Sequence, residues 1–317
     1  MLGKESKQPS FADLLAAGRL SERHLLTQIE AAIDWQPFEK KLAKLYHPSV
    51  GRPGYPPLML FKALLLQQWY GLSDPEMEEA IGDRLSFQRF LRLSLHESVP
   101  DETTICKFRG LLARRGLTQK LFHRLNQQLE EKGLIVKRGT LIDASLIRAN
   151  AKPPAKGQEG SDPEAAYAAR PKGGPIYGYK AHVAVDEGSE LIRGLDLTPA
   201  NVHDTERFVS LIMGDERGVF ADKGYAKDGR KRVLRRFGIF CGILDKARRN
   251  QPLSSKQKRR NERLGRIRQA VERTFATLKG RYDLARVRHR GLMRNLSHLY
   301  LVAMAINLRR MLRLSAA

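Results

Sequence analysis

The hydrophobic period of this chain changes once, at about Gly133, and that switch restricts the fold to two parts of different class. Before it, apolar residues recur at helical spacing between strong start and stop signals. Ser21 is placed to cap a helix through Asp34, Pro56 and Pro57 open an apolar helix that Gly71 ends, and Ser73 with Glu76 forms a capping box for a short helix closing at Gly82. The turn at Gly82-Asp83 leads into Leu85 to Leu93, so residues 73–93 have the outline of a helix-turn-helix. Asp101 to Arg115 and Thr118 to Glu131 complete the run, the last stopped by Gly133. After it come short, mostly apolar, β-branched segments: Thr140 to Ile147, Gly178 to Asp186, Leu191 to Leu197, Gly218 to Asp222 and Phe237 to Leu244. Strands with helices between and after them make a mixed α/β domain. The expected organisation is a helical N-terminal domain over residues 1–132 and an α/β domain over 133–317, with 283–317 as a C-terminal helical segment. Residues 149–175, rich in Pro, Gly, Ala and charge, read as an exposed, mobile loop whose Lys152, Lys156, Arg170 and Lys172 could touch nucleic acid.

Composition enters through charge. The 64 residues from Lys227 to Arg290 hold 22 Lys and Arg against five Asp and Glu, so they carry +17 of a net +23. A basic block inside a chain that otherwise reads as folded is the footprint of phosphate-backbone binding. The plain alternative is a solvated basic face, but this block also contains a buried-strand pattern and an amphipathic helix. A membrane partner is excluded: the most apolar stretch, Leu58 to Leu66, contains Lys62 and falls well short of the ~20 residues a span requires. Met1 to Gly18 mixes Lys4, Glu5, Lys7 and Asp13 without the apolar core of a secretory signal. Two distant cysteines, Cys106 and Cys241, fit a reducing compartment. The expectation is a cytoplasmic protein with a large polyanionic partner.

Three carboxylates interrupt this pattern. Asp143 lies within the apolar run Leu141 to Ile147, where an ionised group is costly unless something positive satisfies it. Asp222 repeats the situation at the end of Val219-Phe220-Ala221. Either alone reads as a strand-end Asp, whereas two in one domain favour a shared hard-cation site. On the helix that follows, Ile267, Val271, Phe275 and Leu278 make the expected buried stripe, and Gly265, Arg268, Glu272 and Lys279 share an adjacent sector. An exposed ion pair between Arg268 and Glu272 is the plain reading of that sector, and a lined cleft in which Arg268 and Lys279 contact DNA the functional one. Carboxylate oxygens suit Mg²⁺, and two such ions can promote in-line displacement at a phosphodiester. Lys180, Lys223 and Lys246 stand beside the strand motifs as candidate phosphate contacts, and Asn201-Val202-His203-Asp204 reads as a helix cap rather than as catalytic machinery.

The order TLIDASLI, YGYKAHVAVD, VFADKGYA and then R-x3-E-x6-K at Arg268, Glu272 and Lys279 resembles the DDE transposases of bacterial insertion sequences, in particular the insertion sequence five group. Val99 to Arg109 (VPDETTICKFR) and the helical stretch from about Tyr55 resemble the N-terminal region of that group. The resemblance implies a ribonuclease H-like catalytic domain in which Asp143, Asp222 and Glu272 form the metal-binding triad, holding two Mg²⁺ ions for which Mn²⁺ can substitute. It also implies an N-terminal domain for DNA binding or dimerisation, a homodimer, double-stranded DNA partners (terminal inverted repeats and target) and a nucleoid-associated bacterial protein. One departure is Gly265, where the wider family has Tyr, so the aromatic contact must come from elsewhere, with Tyr225 as a candidate. The competing readings are a structure-selective nuclease or resolvase on the same fold, and a DNA-binding regulator without chemistry.

Overall fold

The computed structural model describes residues 21–46, 54–155, 158, 160–169, 174–227 and 229–316. Lys156, Arg170 and Lys172, singled out above, lie outside the described residues. The chain divides into two compact units, one running to Leu129 and joined by Ser297–Ala317, the other Glu130–Leu296.

The first unit is helical: α1 (Leu25–Ala32), α2 (Gln36–Ala43), α3 (Pro57–Tyr70), α4 (Asp74–Asp83), α5 (Leu85–Leu91), α6 (Glu102–Arg114) and α7 (Leu117–Glu131). Start signals act largely as the sequence implies. Pro57 opens α3, left-handed Gly71 (φ 71°) closes it, and the Ser73–Glu76 capping box starts α4. Asp101 caps α6 by accepting from the Thr104 amide at 2.6 Å. The first start is displaced: His24, not Ser21, caps α1, its Nδ1 accepting from the Leu26 amide at 3.3 Å.

Every residue of α3 except Tyr70 is buried, so this helix is the unit's axis. Lys62, which breaks its apolar run, is buried too, and its ammonium lies 2.6 Å from Glu30 Oε2, 3.2 Å from the Phe90 carbonyl and 4.7 Å above the Trp35 ring. A buried cation is tolerable only with such a complete set of partners. The expected helix-turn-helix takes the form of α4 and α5 joined at Arg84, but α5 has seven residues, of which Phe87, Gln88, Phe90 and Leu91 are buried. That helix is core, and within it only Arg89 is fully exposed.

The second unit is built on a mixed sheet: β1 (Thr140–Arg148), β2 (Ala166–Ala168), β3 (Ile176–Asp186), β4 (Ile192–Pro199), β5 (Gly218–Ala221) and β6 (Phe240–Ile243). β1, β3 and β4 form an antiparallel meander, and β5 and β6 add in parallel on the far side of β1, giving the order β4-β3-β1-β5-β6. This is the ribonuclease H-like arrangement expected. Gly178 is required where β3 crosses the end of β1, because a Cβ there would collide with the Ile147 carbonyl. The last strand is shorter than its apolar run: Phe237 and left-handed Gly238 (φ 70°) close α8 (Arg230–Arg236), and pairing starts only at Phe240. Ile142, Ala184, Val219, Ala221 and Ile243 bury one face of the sheet against Phe208, Tyr225 and Leu234. The long helix α9 (Ser255–Gly280) packs on β1, β3 and β5.

Two expectations need correction. The described part of the segment after β1 is exposed over much of its length, as expected, but it is anchored rather than loose at Asp162 and β2. Asp162 is fully buried, its carboxylate accepting from Tyr179 Oη at 2.8 Å and its carbonyl from Tyr177 Oη at 2.6 Å, while β2 pairs with β3. Composition marked the Pro and Gly but not the one Asp that holds the segment down. The C-terminal helix α10 (Leu292–Ser315) does not close the α/β domain: from Ser297 onward it belongs to the helical unit. There Trp69 Nε1 donates to the Ala305 carbonyl at 2.9 Å and Asn307 Nδ2 to Asn126 Oδ1 at 2.9 Å. Periodicity identifies which face of a helix is buried, not which elements bury it.

Candidate active site

The parallel ladder between β1 and β5 runs from Thr140 opposite Val219 to Ile142 opposite Ala221. The next residue on each strand is Asp143 and Asp222, so the register sets the two carboxylates beside each other where pairing ends, on strands ~4.8 Å apart. Alternation fixes their direction. Ile142 and Ala221 point into the core beneath α8, and their successors therefore point to the opposite face, toward α9.

That helix supplies the counter-charge. Arg268 is 7% exposed, and its guanidinium lies between the pair, one terminal nitrogen 3.1 Å from Asp143 Oδ2 and the other 3.5 Å from Asp222 Oδ1. Burial pushes the Asp143 carboxyl above the usual carboxylate range. Arg268 and the Ala144 amide, which donates to Asp143 Oδ1 at 2.9 Å, pull it back, and the negative charges of Asp222 and Asp204 raise it again. Asp222 precedes a 3₁₀ turn, Lys223–Tyr225, yet makes no capping bond with its side chain, so the ordinary use of a strand-end Asp does not apply. Two acceptor-only carboxylates, with a cation already lodged between them, have the chemistry of a hard-cation site.

The expected burial of α9 was partly misplaced. Leu264, Arg268, Ala270, Val271, Thr274 and Leu278 are buried, and Ile267 and Phe275 only half so. Arg268 is expected to face DNA at the metals and to be within reach of Glu272, and instead is buried and points into the sheet toward the two aspartates. The reason is electrostatic: two adjacent carboxylates, both partly shielded from water, attract a guanidinium more strongly than one exposed glutamate can. Glu272 is exposed on α9, four residues after Arg268 and so about one turn further along the same face. Among the described residues no three Asp, Glu, His or Cys side chains group closely enough to hold a metal ion; Arg268 links Asp143 and Asp222, and Glu272 stands apart from that pair on the exposed side of the helix.

The remaining candidates fall into two sets. Lys223, Lys246 and Lys279 are exposed on the sheet unit. Lys180 is not available in the way expected, because its ammonium donates to the Val202 carbonyl at 2.7 Å and lies 2.6 Å from Asp204 Oδ1. Asp204 thus serves the fold, and His203 caps the short 3₁₀ turn Asp204–Glu206, as a capping segment should. Tyr225 cannot stand in for an aromatic at Gly265: it is buried on the opposite face of the sheet, its ring centroid 5.7 Å from that of Phe208. Burial, reinforced by Asp204 and Asp143, holds its hydroxyl well above the usual phenol range. A Cβ at Gly265 would meet nothing within 4 Å, so that one position of α9 has open space beside it.

Comparison with known proteins gives a consistent result. Residues 135–308, more than half of the chain, match the family described as transposase DDE domain, and residues 16–111 match a family described as a transposase domain (DUF772). Among solved structures, a piggyBac transposase synaptic complex with hairpin DNA is 9% identical, with a TM-score of 0.38 over 95% of this chain and 79% of that one. The Mos1 strand transfer complex is 13% identical, with a TM-score of 0.20 over 89% of this chain and 84% of that one. At such scores neither structure carries an argument about this site.

Proposed function

The chain belongs to the transposase DDE-domain family, enzymes of DNA cleavage and strand transfer, and on that premise we propose that Asp143, Asp222 and Glu272 are its catalytic carboxylates. The observation that carries this reading is the β1–β5 register, which places Asp143 and Asp222 side by side on the face covered by α9. Glu272 completes the set from the exposed flank of that helix. Family membership implies a divalent cation, which we assign to Mg²⁺, two ions with Mn²⁺ as a substitute. When bound, the cation supplies positive charge at the phosphodiester undergoing displacement. The protein's own part is to hold both aspartates adjacent, to set Arg268 against them, and to offer Lys223, Lys246 and Lys279 to the DNA backbone.

The substrates we propose are the terminal inverted repeats of an insertion sequence of the insertion sequence five group, followed by target DNA. The helical unit recognises the ends and a homodimer brings two ends together. No helix among the described residues is long and apolar enough to cross a membrane. Incubation with Mg²⁺ and a DNA fragment bearing the flanking repeats tests the reading. Site-specific release of 3′ ends and their joining to a second duplex is expected. Cleavage guided by DNA structure alone, without joining, would indicate a nuclease, and binding without cleavage a regulator.

A further inference from the structure

A second feature lies at the same end of the sheet. The turn after β5 and the segment after β6 enclose a cleft of about 850 Å³, bounded by the start of α8 and the start of α9. Its described lining includes five cations, Lys227, Lys231, Lys246, Arg248 and Arg249, and a single carboxylate, Asp245. That carboxylate is already committed: Lys231 Nζ lies 2.7 Å from one of its oxygens and Arg260 2.9 Å from the other. Lys227, Lys246, Arg248 and Arg249 are all exposed and give the cleft its field.

The wall carrying three of these cations is fixed rather than loose. Arg248 and Gln251 exchange backbone hydrogen bonds of 3.2 and 3.0 Å around left-handed Asn250 (φ 61°), a residue type that tolerates that conformation. Upstream, the Asp245 amide donates to Asn261 Oδ1 at 2.9 Å, and Arg260 donates to the Cys241 and Ile243 carbonyls at 2.7 and 3.0 Å. The segment is thereby tied to α9, the helix that carries Arg268. A cationic rim held in place beforehand binds anions without the cost of ordering it.

Position identifies the anion. β1, β5 and β6 are consecutive parallel neighbours, and the cleft opens at the carboxyl ends of β5 and β6, the end at which Asp222 stands. β6 is one strand spacing of ~4.8 Å from the strand that ends at Asp222 and two from the strand that carries Asp143, roughly 5–10 Å in all. DNA rises ~3.4 Å per nucleotide, so this offset, with the depth of the cleft beyond the strand ends, corresponds to about two to four nucleotides along one strand. We propose that this cleft binds the phosphodiester backbone of the strand being cut, at the phosphates about two to four nucleotides from the scissile bond. The proposal rests on the DNA-cleaving reading and adds to it the surface that sets the path of the strand.

The test uses the full chain and a duplex ending in the element's terminal repeat. In the triple variant Lys227→Ala, Lys246→Ala, Arg249→Ala, the slope of log affinity against log salt should fall by about 2 to 3, since each lost phosphate contact removes ~0.9. The removed side chains are exposed, so the melting temperature should not move. Neutral methylphosphonate linkages placed singly along the cut strand locate the contact. At positions two to four from the scissile bond they should weaken wild-type binding about three- to tenfold and leave the variant unaffected. A wild type that binds and cuts, with a triple variant keeping the full salt slope and the same interference positions, overturns the cleft alone. A wild type with no salt-sensitive binding overturns the DNA reading together with it.

Discussion

Replacing Arg268 by Met removes the cation between Asp143 and Asp222 while keeping most of the side-chain stem that packs on the sheet. The geometry sets the size of the effect. Guanidinium nitrogens at 3.1 and 3.5 Å from the two carboxylates give a gross attraction of about 5 kcal/mol each at an effective dielectric of ~20, most of it offset by desolvation. Removing one partner from a buried pair typically costs ~3–5 kcal/mol, because a charge is left uncompensated. Here the Asp222 side chain is 41% exposed and water takes over part of the role, which lowers the expected loss to about 2–3 kcal/mol. For a unit of this size that is a fall in melting temperature of about 5–10 °C, read by thermal denaturation in chelator. The vacated pair should then take Mg²⁺ in place of the guanidinium. Millimolar Mg²⁺ should restore about 1–3 kcal/mol to the variant by mass action and less to the wild type, in which Arg268 competes. A variant melting within a degree or two of wild type in chelator, or equal Mg²⁺ gains in both proteins, would refute the placement of Arg268 as the resident counter-ion.

Other consequences follow from single residues. Glu272→Gln should abolish cleavage and strand joining while leaving the chelator melting temperature unchanged, because the side chain is exposed; full activity in this variant would remove Glu272 from the site. His182 is fully buried between Thr198, whose Oγ1 is 2.9 Å from Nε2, and the Lys180, Asp204 and Arg207 charges, and burial pushes it down to about 4. A histidine depressed in this way contributes stability present above about pH 6.5 and lost as pH falls toward 4, about 2 kcal/mol between pH 7 and pH 5. Urea unfolding of His182→Gln should lack that increment, and an identical pH dependence in both proteins would count against it. Gly265→Ala, inside α9 with open space around it, should stabilise the sheet unit by about 0.5–1 kcal/mol, and a drop in the urea midpoint would show that the glycine has a packing role.

What was legible in the sequence was whatever local chemistry decides. The Pro57 start and Gly71 stop of α3 and the Ser73 capping box all act between residues a few positions apart, and they stand where the sequence implies. The β-branched runs became strands for the same reason, with Asp143 and Asp222 marked out because each interrupts an apolar run. Long-range partnership was not legible. Nothing near Arg268 in sequence reveals that its guanidinium reaches Asp143, 125 residues away, rather than Glu272 one turn on. Asp162 reads as one more polar residue in a Pro- and Gly-rich stretch, and only the fold brings the Tyr177 and Tyr179 hydroxyls to it. Likewise α10 showed a buried face, but its division between the two units depends on partners such as Trp69 that lie more than two hundred residues earlier. The cationic cleft had a trace in the run Lys246 to Arg249, but whether such a run is a solvated face or the wall of a site depends on the turn at Asn250 and the bonds to Asn261.

The central claim is that Asp143 and Asp222 jointly hold the catalytic cation, and exchange of the ligand atom tests it most directly. Asp222→Cys replaces a hard carboxylate oxygen with a softer thiolate, which Mg²⁺ binds poorly and Mn²⁺ accepts more readily. Cleavage of a duplex carrying the terminal repeat should be measured in each metal, with wild type and Asp222→Ala alongside. The account predicts that Asp222→Cys is inactive in Mg²⁺ and regains cleavage in Mn²⁺, while Asp222→Ala stays inactive in both. Cleavage by Asp222→Cys in Mg²⁺ at the wild-type rate would contradict it.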